Sequence, residues 1–307
     1  MTRVAAVDIG TNSIRLLVAD VEGHGRDATL TTLERRMHIT RLGQDVNATR
    51  ALAPAAVERT LTVLREYAKA IAGHGTTKVR AAATSAARDA TNRDEFFAAV
   101  SDALGFEPEL LAGEEEAHLS FVGATAGLRD EPPPFLVIDI GGGSTEFTYG
   151  TTVPETAISV NVGCVRVTEQ FLVSDPPEPE ELSQAVSVMR DHLGDVERAL
   201  PNLQQAKTTV GLAGTITTIA TVEQGVPYSR DAVQGFRLTR GAAEEVFRTL
   251  ALEPLAERRH NPGLDPDRVD TIVGGAVVLV GIMRALELEE LVVSEDDILD
   301  GLARSLG

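Results

Sequence analysis

The chain has 307 residues, of which 43% are hydrophobic and 24% charged, with 27 glycines and a formal net charge of −18. This length makes two domains with a cleft between them the default expectation, and the composition excludes a disordered, collagenous or membrane chain. The acidic balance excludes a general nucleic-acid binder, which needs a Lys/Arg surface, but it leaves room for polyanions held locally by a cation and a few focused donors.

The first residues run straight into a strand-like pattern, Arg3 to Val7, without the segments of a signal peptide. The longest apolar stretch, near Ile272 to Met283, is too short and glycine-interrupted to span a bilayer. A cytoplasmic location with no membrane partner is therefore expected. The one cysteine, Cys164, excludes an intramolecular disulfide and a cysteine-rich zinc site, and reads as a buried, inert thiol.

In chain order, an apolar strand ends in Asp8-Ile9-Gly10, passes through the small-residue turn Gly10-Thr11-Asn12-Ser13, and re-enters an apolar run from Ile14 to Val18. An extended stretch follows at Leu30 to Arg36, and Pro54 opens a helix with apolar positions at Val57, Leu61, Leu64 and Ala68. A buried strand, Lys78 to Ala83, precedes Thr84-Ser85-Ala86-Ala87-Arg88 and a helix from about Arg93 to Leu104. Glu107 to Leu111 reads as a short strand, and Gly113 to Leu128 as a helix opening on Glu114, Glu115 and Glu116. The stiff Glu131-Pro132-Pro133-Pro134 stretch is the natural junction, giving domains 1–128 and 129–307, with a terminal helix at about 296–306 as a candidate to pack back onto the first.

The second half opens as the first did. Leu136 to Ile140 carries Asp139 and runs through Gly141-Gly142-Gly143-Ser144-Thr145 into Phe147 to Tyr149. Further strands are expected at Ala157 to Val162, at Thr208 to Leu212 before Ala213-Gly214-Thr215, and at Leu291 to Ser294. Helices fall near Glu178 to Ala199, Arg240 to Ala251 and Val269 to Leu286. Two hairpins of one design, each followed by strand and helices, are a domain-scale duplication of α/β type.

A Gly/Ser/Thr turn after a strand lets successive backbone N–H groups converge on an anion. Gly10 to Ser13 and Gly141 to Thr145 fit that description, and an Asp at the same offset in each makes a plain tight hairpin the weaker reading. The sequence lacks the Gly-x-x-x-x-Gly-Lys-Ser/Thr loop. Arg88 follows small residues at a buried strand end, where its fork suits a phosphate better than packing does. Helix-dipole stabilisation accounts for one or two of the three glutamates, not all. Asp8 and Asp139 could cap their turns, yet as hard-oxygen donors they also suit Mg²⁺. Lys207, Arg166 and Arg15 are weaker candidates for distant phosphates, with ordinary surface charge the favoured reading; His74, His118 and His192 show no metal-ligand spacing.

These segments, with Ala83 to Asn92, Gly113-Glu114-Glu115-Glu116-Ala117 and Gly211-Leu212-Ala213-Gly214-Thr215, resemble the motifs of the exopolyphosphatase / guanosine pentaphosphate phosphohydrolase family over essentially the whole chain, in the short form without the C-terminal helical region of longer members. The resemblance implies two duplicated actin-like (ribonuclease H-like) domains, hydrolysis of terminal phosphoanhydride bonds of inorganic polyphosphate, and a homodimer. By the same resemblance Glu116 is the general base, with Glu115 as fallback, and Arg88 and Glu146 assist. Asp8, Asp139 and Glu146 hold Mg²⁺ or Mn²⁺. Gly10, Thr11, Asn12, Ser13, Gly141, Gly142, Gly143, Ser144, Thr145, Gly214 and Thr215 bind phosphate. One departure stands out: Leu299 occupies the position where the family would lead one to expect an Arg. Guanosine pentaphosphate as substrate is the nearest rival; an ATP-dependent small-molecule kinase and a non-catalytic alarmone or polyphosphate sensor are the rivals of other classes.

Overall fold

In both halves the strand ending in Asp-Ile-Gly is apolar at consecutive positions, the pattern of a strand covered on both faces. A computed structural model describes residues 1–307 and places each of these strands inside a mixed sheet.

The first half folds as strands β1 (Thr2–Ile9), β2 (Ser13–Glu22) and β3 (Thr29–Ile39), helices α1 (Val46–Thr49) and α2 (Pro54–Gly73), strand β4 (Lys78–Ala83), helices α3 (Ser85–Asp89) and α4 (Arg93–Leu104), strand β5 (Pro108–Leu110) and helix α5 (Gly113–Ala126). Its sheet runs β3-β2-β1-β4-β5, antiparallel across the first three strands in sequence and parallel from β1 through β4 to β5. The period of two along β1 sends Ala5, Val7 and Ile9 to Leu64 and Tyr67 of α2 and Phe96 and Val100 of α4. Val4 and Ala6 go to the other face.

The second half repeats the plan with β6 (Phe135–Ile140), β7 (Thr145–Gly150), β8 (Pro154–Val160), α6 (Cys164–Phe171), α7 (Pro179–Ala199), β9 (Thr208–Leu212), α8 (Ala213–Gln224), α9 (Arg230–Val233), β10 (Arg237–Thr239), α10 (Arg240–Leu252), α11 (Leu255–Arg258), α12 (Ile272–Ala285) and β11 (Glu290–Val293). Its order, β8-β7-β6-β9-β11-β10, is the first order with one strand added at the edge. The expected strand from Ala157 to Val162 stops at Val160, because the chain turns into α6, a helix too short to declare itself by periodicity. No helix is long and apolar enough to cross a membrane.

The chain divides into one unit of Met1–Ala126 with Asp296–Gly307 and another of Gly127–Glu295. The second unit therefore ends at Glu295 rather than at residue 307, and the last helix, α13 (Ile298–Arg304), is part of the first. Ile298, Leu299, Leu302 and Ala303 fill the second face of the β1–β2 sheet against Val4, Ala6, Leu17 and Ala19. Two glycines bring α13 onto α5 backbone to backbone. A Cβ on Gly123 would lie 1.9 Å from the carbonyl oxygen of Asp297, and one on Gly301 would lie 2.1 Å from that of Leu119.

Candidate active site

Both Asp-Ile-Gly turns close with the same bond, Gly10 N–H to Ser13 O and Gly141 N–H to Ser144 O, each 3.0 Å. What lies behind the turns is also duplicated. In the first unit the segment after β3 donates backbone N–H groups to the loop: Thr40 and Arg41 to Asn12 O, and Gly43 to Thr11 O at 2.8 Å. In the second, Cys164 donates to Gly141 O at 3.0 Å, Val165 and Arg166 donate to Gly142 O, and the Arg166 guanidinium bonds Gly143 O at 2.8 Å. A loop whose carbonyls are engaged from behind is left with its N–H groups to offer an anion. Gly43 and Gly163 make this approach feasible: a Cβ would stand 2.2 Å from Thr11 Cγ2 in one case and 2.5 Å from the Gly142 carbonyl carbon in the other.

Across β6, β7 and β8 the register sets Asp139 opposite Glu146 and Glu146 opposite Ser159. Directly opposed residues of an antiparallel pair share a face, with Cβ atoms about 5 Å apart. Two carboxylates thus sit side by side, both buried, at 7% and 2% exposure. Ser159 Oγ donates to Glu146 Oε1 at 2.6 Å and fixes its orientation. No group of three or more His, Cys, Asp or Glu side chains is placed to hold a metal ion. Mg²⁺ needs no such cage: it takes one or two carboxylates and keeps its waters. The hard-oxygen pair of Asp139 and Glu146 fits that demand.

β9 runs parallel to β6 with Leu212 beside Asp139, so Gly214 and Thr215 at the head of α8 follow directly on the strand neighbouring the second hairpin. Ala213 enters that turn at φ +67°, a left-handed conformation rarely held by a residue with a side chain and often found at functional loops. Arg268 lies over this turn, since a Cβ on Gly214 would be 2.0 Å from its Nη1. Cys164 is buried close by, and burial pushes its thiol up, in keeping with an inert role.

In the first unit, α3 and the head of α5 bring Arg88 and Glu116 together. Arg88 Nη1 donates to Glu116 Oε2 at 2.7 Å and to Leu111 O at 3.0 Å, which leaves the Nε and Nη2 donors of the fork for a ligand. Glu116 is buried, whereas the fallback Glu115 points to Arg80 at 2.7 Å with its side chain half exposed.

One reading changes and two stand. Arg15 is no surface charge: its Nε and Nη2 bond Asp8 Oδ2 at 2.9 and 2.6 Å, and Nη1 bonds Asp297. Burial pushes the Asp8 carboxyl up, and Arg15 offsets part of that shift. Lys207 is exposed at the start of β9, the end of the sheet opposite Leu212 and the phosphate loops, which removes it as a contact. Leu299 is fully buried in the apolar layer of α13 and offers no charge in place of the expected Arg. Gly43, Gly163, Ser159 and Arg268 are additions. The glycines carried a signal, one falling a few residues past the third strand in each half.

Two α/β units that share a strand order, with one edge strand added in the second, each open on the same glycine-rich hairpin and define an internally duplicated α/β protein. The chain belongs to the Ppx/GppA phosphatase family, whose model matches residues 17–305. It is 43% identical to exopolyphosphatase 2 of Mycobacterium tuberculosis over 100% of this chain and 99% of that one. Among solved structures, an exopolyphosphatase-like protein aligns with TM-score 0.92 and 37% identity over 98% of this chain and 97% of the other. The Ppx/GppA family member of Aquifex aeolicus aligns with TM-score 0.82 and 33% identity over 99% and 97%.

Proposed function

We propose that this chain is an exopolyphosphatase that hydrolyses the terminal phosphoanhydride bond of inorganic polyphosphate and releases orthophosphate. Membership of the phosphatase family and the full-length likeness to an exopolyphosphatase support the reaction class. The observation that carries the mechanism is the Arg88–Glu116 pair. One end of the guanidinium holds the carboxylate, and the other donors are free to take a phosphoryl oxygen, so water activation and charge neutralisation are fixed in one rigid unit.

In this reading the water oxygen attacks the terminal phosphorus in line, the bridging P–O bond breaks, and Glu116 takes the proton. Arg88 takes the transferred phosphoryl, and within each unit the backbone N–H groups of the hairpin, joined in the second by those of Gly214 and Thr215, are the donors for phosphate oxygens. Asp139 and Glu146 would hold Mg²⁺, with Mn²⁺ as the alternative, and Ser159 fixes the orientation of Glu146. When bound, the cation neutralises charge on the phosphates during transfer.

The test is a phosphate-release assay with Mg²⁺ on short polyphosphate, long polyphosphate and guanosine pentaphosphate side by side. Release from polyphosphate is expected. Release from guanosine pentaphosphate alone would move the substrate to the alarmone, and ATP consumption only on addition of a sugar or acetate would make the protein a kinase.

A further inference from the structure

The segment that backs the first loop is fastened at both ends. Near its start, Thr40, Arg41 and Gly43 give their N–H groups to the carbonyls of Asn12 and Thr11. Near its end, Arg50 O accepts both the N–H and the hydroxyl of Thr91, at 2.8 and 2.9 Å. Leu52 donates to Asn92 Oδ1 at 2.9 Å and accepts from Asn92 Nδ2 at 3.1 Å, so one side-chain amide takes both backbone groups of one residue, as a neighbouring strand would. Thr91 and Asn92 follow closely on Arg88, in the turn between α3 and α4.

Two observations set Asn92 apart from an ordinary turn residue. It stands at the N-cap of α4, where an asparagine side chain normally accepts an N–H of its own helix. It makes no such bond, and the amide is committed to Leu52 instead. The segment it fastens is also strained: of the five non-glycine residues with positive φ in the chain, Arg41 at 52°, Asp45 at 60° and Arg50 at 59° all fall there. Such conformations persist only where neighbouring contacts over-determine them. α3 does not depend on this fastening, since the Thr84 N–H bonds Ile9 O at 3.3 Å and Arg88 is tied to Leu111 and Glu116.

We propose that Asn92 is a positioning residue for the first phosphate loop, resting on the reading under Proposed function that this loop binds phosphate. By clamping Leu52 it keeps the segment from Thr40 to Leu52 on its strained path. The segment in turn keeps the carbonyls of Thr11 and Asn12 occupied from behind and leaves the N–H groups of the loop to an anion. With the clamp released, the loop loses its backing while Arg88 and Glu116 keep their own contacts, so the hold on substrate suffers and the chemical step does not.

Asn92→Ser keeps a good N-cap for α4 but cannot serve both groups of Leu52. Hydrogen exchange followed by mass spectrometry, read on peptides covering 40–44 and 50–53, is expected to quicken about tenfold at both, as a lost buried hydrogen bond loosens the whole segment. Steady-state kinetics on polyphosphate should show KM raised about tenfold with kcat within about twofold of the wild type, the signature of lost ground-state binding. Faster exchange confined to 50–53 overturns the proposal, as does a loss in kcat at unchanged KM, since a purely structural role lowers activity through the folded fraction alone. Faster exchange at 40–44 with KM unchanged overturns it too, and removes the first loop from phosphate binding. Should N92S not fold, Thr91→Ala takes one of the two bonds from Arg50 O, leaves the other, and is expected to give the same pattern in smaller measure. Absence of polyphosphate hydrolysis by the wild-type protein sinks the exopolyphosphatase reading instead, and the exchange experiment still decides whether Asn92 holds the loop.

Discussion

The two hairpins share their turn bond, their Asp and their place in the sheet, yet the residues beside that Asp differ in charge. In the first unit the row across the sheet is Met37, Arg15, Asp8; in the second it is Ser159, Glu146, Asp139. The first row pairs its aspartate with a guanidinium. The second sets two carboxylates side by side, and like charges directly opposed across a ladder repel unless a cation joins them. At the same row of the duplicated frame the first unit thus sets a guanidinium beside its aspartate and the second sets a carboxylate. A backbone plan copied within a chain need not carry the same chemistry in both copies.

The most severe way to break this difference is to write the first row into the second. Glu146→Arg supplies Asp139 with a built-in cation, and hydrolysis is expected to fall roughly 10³-fold or more, the equivalent of several kcal/mol of lost metal assistance. Phosphate release and Mn²⁺ titration both report it; retained metal-dependent turnover would dismiss the carboxylate pair as the cation site. Next in size, Glu116→Gln should lower kcat by about 10²–10⁴ with KM nearly unchanged, because the amide keeps the shape but accepts no proton. Steady-state kinetics on polyphosphate check this, and loss confined to KM would move the base elsewhere.

The glycines behind the loops offer a milder comparison. A Cβ at Gly163 meets backbone atoms of Gly142, whereas one at Gly43 meets chiefly the methyl of Thr11. Gly163→Ala is expected to lose about 1–3 kcal/mol by crowding and to raise KM, and Gly43→Ala to lose less. Urea unfolding of the two variants measures the difference, and equal losses would contradict it.

The smallest effect lies away from both hairpins. The hydrogen bond from His74 and the neighbouring Arg36 hold the Glu34 carboxyl below the usual carboxylate range. A depressed folded-state pKa stabilises above the unfolded value, and the gain is lost as pH falls through the folded one. Glu34→Gln should flatten the acid limb of stability by no more than about 0.5 kcal/mol, given its partial exposure. Thermal melts from pH 6 to below pH 4 would show it.

Much of the frame was legible because the Asp-Ile-Gly motif recurs, and a repeat converts two weak turn signals into one strong one. Glu116 and Glu115 could not be separated with the same security, since neighbours on a helix differ only in the face they take; burial against Arg88 on one side and pairing with Arg80 on the other distinguishes them. The donors behind the loops were invisible, because every non-proline residue carries the same backbone N–H. Arg15 and Asp297 stood far apart in sequence with nothing to link them. Leu299 registered as a missing charge, although the charge that matters to this hairpin sits two residues earlier, at Asp297.

The chain leaves the first unit at Ala126 and returns to it only at Asp296. During synthesis, Gly127–Glu295 can therefore fold as an uninterrupted segment, while the first sheet waits with one apolar face uncovered until α13 emerges. Asp297 arrives with that helix. The first hairpin consequently acquires its Asp297 contact to Arg15 only after the whole second unit has been made, even with both loops already formed.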